Sequence, residues 1–227
     1  MHLESHQMGK ISVRCRGDRV YEFSPESTAL LSIDFQKEFF VEGIGECLDE
    51  MLSILPRVAR LISLARNLQC KVVHTRESYQ PDLSDVSGYR KSLEYVGKPA
   101  PLGHFCVLGE PGHEFVEEVQ PMQNEPVIDK ASFGAFYNTD LDEILKRDGI
   151  DHLIMCGVTT QCCVHSTLRE AVDRGYWCLT VADSCAATEP GLHDAAISLI
   201  AGEGHLFGWV ADFQDVDKAI SSLVCSK

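Results

Sequence analysis

The chain has 227 residues, of which 44% are hydrophobic and 24% are charged, and its formal net charge is −14 at pH 7. This length allows one large domain with a well-buried core. The negative charge argues against a nucleic acid or an anionic membrane as partner, since both bind basic surfaces, and no apolar run reaches the length of a membrane span.

The apolar pattern predicts one domain after an N-terminal arm. Residues 1–27 are polar and weakly patterned, which predicts an arm outside the core, and residues 28–227 then form a single domain. Short apolar runs predict strands at 28–33, 71–75, 125–129, 152–156, 177–182 and 206–210. Helical spacing, or a proline in the first turn, predicts helices at 48–68, 140–147, 162–174, from Pro190 and from Asp215.

Strands that alternate with helices imply a parallel sheet covered on both faces. We therefore predict an α/β fold with a doubly wound, six-stranded parallel sheet in a Rossmann-like, three-layer arrangement. The connection at residues 76–124 holds most of the prolines. A connection this long within a compact domain is usually functional, so we expect it to form a lid or a pocket wall.

The cysteines indicate a reducing environment. Ten are scattered along the chain, and some of them, such as Cys156 and Cys178, lie inside apolar strands where a free thiol packs as a small hydrophobic group. The first seven residues lack the apolar stretch of a secretory signal. We therefore expect a cytoplasmic protein with free thiols.

Reactive side chains follow three of the predicted strands. Asp34 follows the first strand, Lys130 the third, and Cys162 and Cys163 the fourth. Ligands of open parallel sheets bind outside the carboxyl ends of the strands, near the point where the strand order reverses. The simplest doubly wound order places the first and fourth strands side by side. Asp34 would then face the cysteines, with Lys130 arriving from the far side of the first strand.

These residue types suit cysteine catalysis. A thiol at a helix N-terminus meets unpaired N–H groups and the positive end of the helix dipole, which favour the thiolate. The Asp34 carboxylate can accept the thiol proton and return it to a leaving amine, and the Lys130 ammonium supports the charged forms. Backbone N–H groups of the turn from Gly157 to Cys163 can bind an oxyanion.

Each residue also has a structural explanation. Cys163 is equally well explained as a buried helix cysteine. Taken alone, Asp34 is better explained as a turn or N-cap residue, and Lys130 as a solvated residue at a strand end. Their joint placement at successive strand ends favours the catalytic interpretation. Arg76 and Arg90 are best explained as solvated side chains, although either could steer a substrate carboxylate.

Three motifs resemble those of the isochorismatase-like cysteine hydrolase family. They are the turn Gly-Val-Thr-Thr-Gln-Cys-Cys-Val (157–164), Leu-Ser-Ile-Asp-Phe-Gln (31–36), and Val-Ile-Asp-Lys (127–130) followed by residues 134–141. The resemblance implies a catalytic triad of Asp34, Lys130 and Cys163, with Cys163 rather than Cys162 as the nucleophile. It also implies a cis peptide bond between Val158 and Thr159, and an oxyanion hole made by the N–H groups of Thr159 and Cys163.

Within the family, the chain is most similar to biuret hydrolase and related ureido amidohydrolases, in residues 74–85, 109–113 and 131–141. Two positions depart from biuret hydrolase, because Phe133 replaces a second lysine and Glu203 replaces a glutamine that contacts substrate. A change in these polar groups alters which polar groups of a substrate can find a partner in the pocket. The resemblance places Phe39 in an aromatic pocket wall, although a core phenylalanine explains it equally well.

The sequence favours a site without metal or cofactor. The Asp-x-His zinc ligands of related nicotinamidases are missing, because the chain has His74-Thr-Arg76 at that place. The spacing of Cys156, Cys162, Cys163 and His165 is not that of a zinc site. Cys162 is most simply a packing residue.

The combined hypothesis is a metal-free cysteine amidohydrolase that cleaves a C–N bond of a small linear amide of carbamoyl or ureido type through a thioester. Isochorismatases proper cleave an enol ether and lack the cysteine, so the resemblance implies amide hydrolysis here. The alternatives are a nicotinamidase-like hydrolase of aromatic amides and a non-catalytic binding protein on the same fold. The resemblance also implies a homodimer or homotetramer.

Overall fold

A six-stranded parallel sheet forms the centre of the molecule in a computed structural model, which describes residues 9–224. The strands of the chain are β1 (Ile11–Cys15), β2 (Arg19–Phe23), β3 (Thr28–Ile33), β4 (Lys71–Glu77), β5 (Pro99–Ala100), β6 (Gly103–His104), β7 (Val127–Lys130), β8 (His152–Val158), β9 (Trp177–Ala186) and β10 (Trp209–Ala211). The order in the main sheet is β10-β9-β8-β3-β4-β7. The predicted α/β fold, with the first and fourth of its strands as neighbours, is confirmed.

Helices cover both faces of this sheet. They are α1 (Leu48–Ser53), α2 (Leu55–Asn67), α3 (Gly88–Lys91), α4 (Leu141–Arg147), α5 (His165–Asp173), α6 (Leu192–His205) and α7 (Phe213–Val224). One apolar cluster contains buried residues of α2 and α7, and a second contains those of α4, α5 and α6. Successive residues of β3 belong to different clusters, since Leu30 lies in the first and Leu31 in the second.

The central strand β3 is buried along its whole length, and its carboxyl end adjoins both neighbours. Ile33 pairs with Thr75 of β4 and with Gly157 of β8. Gly157 has φ +147°, and a Cβ there would lie 2.3 Å from the Ile33 carbonyl oxygen. Only glycine therefore allows this close approach, which brings the loop after β8 against the end of β3.

The N-terminal region differs from its prediction. β1 and β2 form an antiparallel hairpin in which Ile11, Val13, Cys15, Tyr21 and Phe23 are buried within the first apolar cluster. The expectation that residues 1–27 lie outside the core is wrong for this hairpin. The reason is the alternation of apolar and polar residues, which gives each strand one apolar face to bury. Residues 1–8 lie outside the described part.

Truncating the buried face of this hairpin tests its contribution to stability. We expect Phe23→Ala to lower the free energy of unfolding by about 3–5 kcal/mol, because it removes a fully buried ring. The matched Val20→Ala, at a side chain that is 53% exposed, should change it by less than about 0.5 kcal/mol. Urea denaturation measures both, and equal small effects would mean that the hairpin is an appendage.

The long connection between β4 and β7 packs against the core. Its buried side chains include Tyr79, Val96, Phe105 and Phe115, and a short hairpin of β5 and β6 lies within it. The nine cysteines of residues 9–224 are all free thiols. None of the helices in this part of the chain is long and apolar enough to cross a membrane.

Candidate active site

Asp34 and Lys130 form a buried ion pair at the carboxyl edge of the sheet. The Lys130 Nζ donates to Asp34 Oδ2 at 2.7 Å and to the Ser132 carbonyl oxygen at 3.0 Å, and both charged side chains are fully buried. The Thr75 hydroxyl donates to the other Asp34 oxygen at 2.5 Å. Burial by itself would lower the pKa of Lys130, but the Asp34 carboxylate outweighs it and the net shift is upward. The lysine therefore stays an ammonium.

The backbone turns at Asp34 to place this carboxylate. Asp34 has φ +55°, in the left-handed region that aspartate tolerates better than most residues. Its N–H donates to the Thr75 carbonyl oxygen at 3.1 Å, so the chain is still tied to β4 as it leaves β3. Lys130 reaches the same point as the last residue of β7.

Cys163 lies in the turn that connects β8 to α5. The Val158–Thr159 peptide bond is cis, as the resemblance implies, and one π-helical turn follows at Thr160–Val164. Cys163 is buried within this turn, and Thr159 and Cys163 both line the same cavity. Single π-helical turns occur frequently at functional sites. The turn thus brings a thiol and the predicted oxyanion-hole residues to one place.

A second carboxylate, that of Glu77, also reaches the site. The Cys163 thiol donates to Glu77 Oε2 at 3.6 Å, and oxygens of Asp34 and Glu77 lie with the Cys163 sulfur within 4.8 Å of one another. Glu77 is buried and forms an ion pair of 2.6 Å with Arg90 Nη2. The sequence analysis missed Glu77 because it ended the second strand at Thr75, whereas β4 continues to Glu77.

The electrostatics of Cys163 differ from the expectation of a thiolate. The neighbouring Cys162 thiol, burial and the carboxylates of Asp34 and Glu77 all raise the pKa of Cys163, and the Lys130 ammonium lowers it only in part. The net shift is well above the usual range. In the free protein Cys163 is therefore a neutral thiol, and to act as the predicted nucleophile it must first lose its proton to a base.

Alkylation kinetics test this protonation state. Because the pKa of Cys163 is raised, its thiolate fraction at pH 7 is small and increases as the pH rises toward that pKa. We expect iodoacetamide to modify Cys163 more slowly at pH 7 than it modifies a free cysteine, as measured by peptide mass spectrometry. Glu77→Gln removes one of the carboxylates that disfavour the thiolate and should increase the rate. Fast modification of the unaltered protein at pH 7 would contradict the raised pKa.

A cavity of about 500 Å³ opens onto Cys163. Its aromatic wall is formed by Phe39, Tyr95, Phe105 and Phe133, in which the Phe105 ring makes edge contacts of 5.4 Å between ring centroids with both Phe39 and Tyr95. Residues from the long connection therefore supply part of the pocket wall, in line with the expectation for residues 76–124. The polar lining near the thiol includes Glu77, Thr159 and Gln161.

Of the three residues predicted to contact substrate, two line the cavity and one does not. Phe39 and Phe133 line the cavity. Glu203 does not, because Gly202–Gly204 break the helical conformation near the end of α6 and leave Glu203 exposed on the surface. A Cβ at Gly204 would lie 3.8 Å from the Arg19 guanidinium, so this turn adjoins the N-terminal hairpin instead.

The two arginines have different surroundings. Arg76 forms a bidentate pair with Asp129, at 2.8 and 3.0 Å, outside the cavity lining. Arg90 is buried rather than solvated, and its guanidinium carbon lies 3.9 Å from the Phe133 ring centroid. The expectation of a solvated side chain is therefore wrong for Arg90.

Asp34, Glu77 and Cys163 are close enough to be considered as ligands of one metal ion. Their donor set suits a metal poorly. Lys130 already neutralises Asp34, Arg90 already neutralises Glu77, and no histidine completes the cluster of described residues. A cation would have to compete with two buried positive side chains. A metal-free site therefore remains our prediction.

Comparisons with known proteins agree on one family. Residues 28–215 match the Isochorismatase domain model. The ureidoacrylate amidohydrolase RutB of Serratia proteamaculans is 29% identical over 203 residues, which is 84% of this chain and 81% of that protein. The isochorismatase family protein YddQ of Bacillus subtilis, whose function is uncharacterised, is 30% identical over 171 residues, or 75% of this chain and 84% of YddQ.

Solved structures give the same result. The crystal structure of a cysteine hydrolase from Pseudomonas syringae pv. phaseolicola superimposes with a TM-score of 0.78 at 27% sequence identity. The match covers 95% of this chain and 100% of that one. The structural likeness therefore extends over nearly the whole chain, including the sheet and the helices on both of its faces.

Proposed function

This chain belongs to the isochorismatase family, and we propose that it is a cysteine amidohydrolase that cleaves a small linear amide of carbamoyl or ureido type. The observation that carries the proposal is the placement of the Cys163 thiol, which lines a cavity, beside the buried Asp34–Lys130 pair. The similarity to ureidoacrylate amidohydrolases supports the substrate class.

The reaction begins with proton transfer from the Cys163 thiol to Asp34. The thiolate then attacks the substrate carbonyl carbon, so that a C–S bond forms and the carbonyl π electrons move to oxygen. The N–H groups of Thr159 and Cys163 bind the resulting oxyanion, and one such donor is typically worth about 10²–10³ in rate. As the tetrahedral intermediate collapses, the C–N bond breaks and Asp34 returns its proton to the leaving nitrogen.

Hydrolysis of the thioester completes the cycle. Water loses a proton to the Asp34 carboxylate and attacks the acyl carbon, and the departing Cys163 sulfur takes that proton back as the C–S bond breaks. Lys130 keeps its charge throughout because its pKa is raised, so its role is to hold and orient Asp34. No metal or cofactor enters these steps.

Two further parts of the proposal concern the setting of the enzyme. We place it in the cytoplasm because the cysteines of residues 9–224 are free thiols, most of them buried, as is typical of a reducing compartment. Assembly as a homodimer or homotetramer stays a prediction.

Release of ammonia from a substrate panel tests the proposal. The panel contains biuret, triuret, ureidoacrylate, N-carbamoyl amino acids, nicotinamide and simple aliphatic amides, each with wild type and Cys163→Ala. We expect release that depends on Cys163 from at least one ureido compound. Release from nicotinamide alone would favour the aromatic-amide alternative, which the aromatic cavity wall also accommodates. If no compound of the panel releases ammonia, the result would favour a non-catalytic binding protein.

A further inference from the structure

We propose that Glu77 selects ureido substrates, because its Oε2 accepts an N–H from the nitrogen on the retained side of the carbonyl group that is cleaved. This inference rests on the proposed amidohydrolase function and narrows its substrate class. It concerns a residue outside the predicted triad.

The surroundings of Glu77 fix its carboxylate in one orientation. Its Oε1 receives hydrogen bonds from Arg90 Nη2, at 2.6 Å, and from the Tyr79 hydroxyl. Gln36 holds the backbone on both sides, because its Oε1 accepts from the Glu77 N–H at 2.8 Å and its Nε2 donates to the Glu77 carbonyl oxygen at 3.0 Å. These bonds occupy one carboxylate oxygen and the main chain, and Oε2 faces the thiol.

The resting contact of Oε2 is a weak one. Among the described residues, the group that donates a hydrogen bond to Oε2 is the Cys163 thiol at 3.6 Å, and an S–H group is a poor donor. Once that thiol gives its proton to Asp34, Oε2 is a buried acceptor that needs a new donor. Glu77 also disfavours the thiolate in the free protein, so activation of the nucleophile does not explain its position. An N–H of the substrate satisfies Oε2.

The chemistry of the carbonyl group determines which N–H this is. The attacked carbon carries an oxygen, a leaving nitrogen and one retained substituent. The oxygen lies at the N–H groups of Thr159 and Cys163, and the leaving nitrogen must face Asp34 to receive its proton. The retained substituent is then the one that meets Glu77, which flanks the sulfur together with Asp34. In a ureido compound this substituent is N–H, whereas in a simple carboxamide it is carbon.

The test compares substrates that differ only at this atom. Biuret and malonamide exchange N–H for CH₂ beside the carbonyl group, as do N-carbamoylglycine and succinamic acid. We expect wild type to favour the N–H member of the more active pair in kcat/KM by about 10²-fold, because a site built around an N–H donor rejects an analogue that lacks it. In Glu77→Gln this preference should fall at least about tenfold.

A second variant guards against simple misfolding. Glu77→Met with Arg90→Met removes both halves of the buried ion pair, so that neither charge is left without its partner. It should show the same loss of preference, with folding checked by thermal denaturation. Glu125→Gln is the matched control, because the Glu125 carboxylate is also buried and paired with an arginine, Arg66 at 2.7 Å, and is not in the cavity lining. It should leave the preference between the two members unchanged.

The outcomes separate the two proposals. If wild type cleaves a ureido compound and Glu77→Gln slows both members of the pair equally, Glu77 only supports the structure or accepts the thiol proton, and the specificity role is refuted while the proposed function stands. An unchanged preference in the Glu77 variants has the same meaning. If wild type cleaves neither member of either pair and no compound of the broader panel releases ammonia, the proposed function fails and the inference fails with it.

Discussion

Replacing Cys163 by alanine is expected to reduce turnover of a ureido substrate by at least about 10³-fold while the protein stays folded. The thioester route needs the sulfur as its nucleophile, and no other group can replace it without a new geometry. The substitution removes one buried atom and leaves the Asp34–Lys130 pair intact, so the melting temperature should change little. Steady-state ammonia release and thermal denaturation measure the two effects.

Cys162→Ala is the matched control for this prediction. Cys162 is the neighbouring residue in the same turn and is half-buried in the cavity lining, yet the resemblance assigns the nucleophile to Cys163. Cys162→Ala should therefore reduce turnover far less, by under about tenfold. If both variants lose activity equally, or if Cys163→Ala remains active, the nucleophile is wrongly assigned. A trapped acyl adduct on the Cys163 peptide would be the direct evidence for the thioester.

The fold was predictable because its strands are buried on both faces. Such strands appear in the sequence as short apolar runs, and β3, β4, β8 and β9 were each located by one. The position of a strand end was less predictable, since a strand continues for as long as its backbone finds hydrogen-bond partners on the neighbouring strand. β4 continues two residues beyond the predicted end and carries Glu77 at its last position.

The N-terminal hairpin carried a signal that the sequence analysis did not use. Ile11, Val13 and Cys15 alternate with polar residues, and this pattern of two is typical of a strand with one buried face. The search for continuous apolar runs suits a parallel sheet but overlooks such strands. The N-terminal hairpin could therefore have been predicted from the sequence by also searching for alternating apolar and polar residues.

Other features depend on tertiary structure and have no local signal. The placement of Glu203 follows from the break at Gly202–Gly204, which turns the end of α6 toward the hairpin. The raised pKa of Cys163 follows from the Cys162 thiol, from burial and from carboxylates that come from other strands. Lys130, which the sequence does reveal, lowers the pKa of Cys163 but is outweighed in the folded protein.

The buried pair of Asp34 and Lys130 should dominate both stability and activity. Lys130→Met leaves the Asp34 carboxylate buried without its cation, and we expect the free energy of unfolding to fall by about 3–5 kcal/mol. Asp34→Asn leaves the ammonium without its partner and should have an effect of similar size. Both variants should also lose turnover, since the proposed reaction needs Asp34 as the proton acceptor and Lys130 as the cation that holds it.

The double variant separates the structural role of this pair from the chemical one. Asp34→Asn with Lys130→Met removes both charges together, so most of the lost stability should return, because neutral replacement of a buried ion pair is often tolerated. Turnover should stay absent, since the carboxylate that accepts the Cys163 proton in the proposed reaction has been removed. Asp129→Asn is the matched control, because the Asp129 side chain is 41% exposed in its pair with Arg76 and its loss should cost at most about 1 kcal/mol. An active double variant would show that the thiol proton goes elsewhere, and Glu77, whose Oε2 lies 3.6 Å from the sulfur, would then be the first candidate.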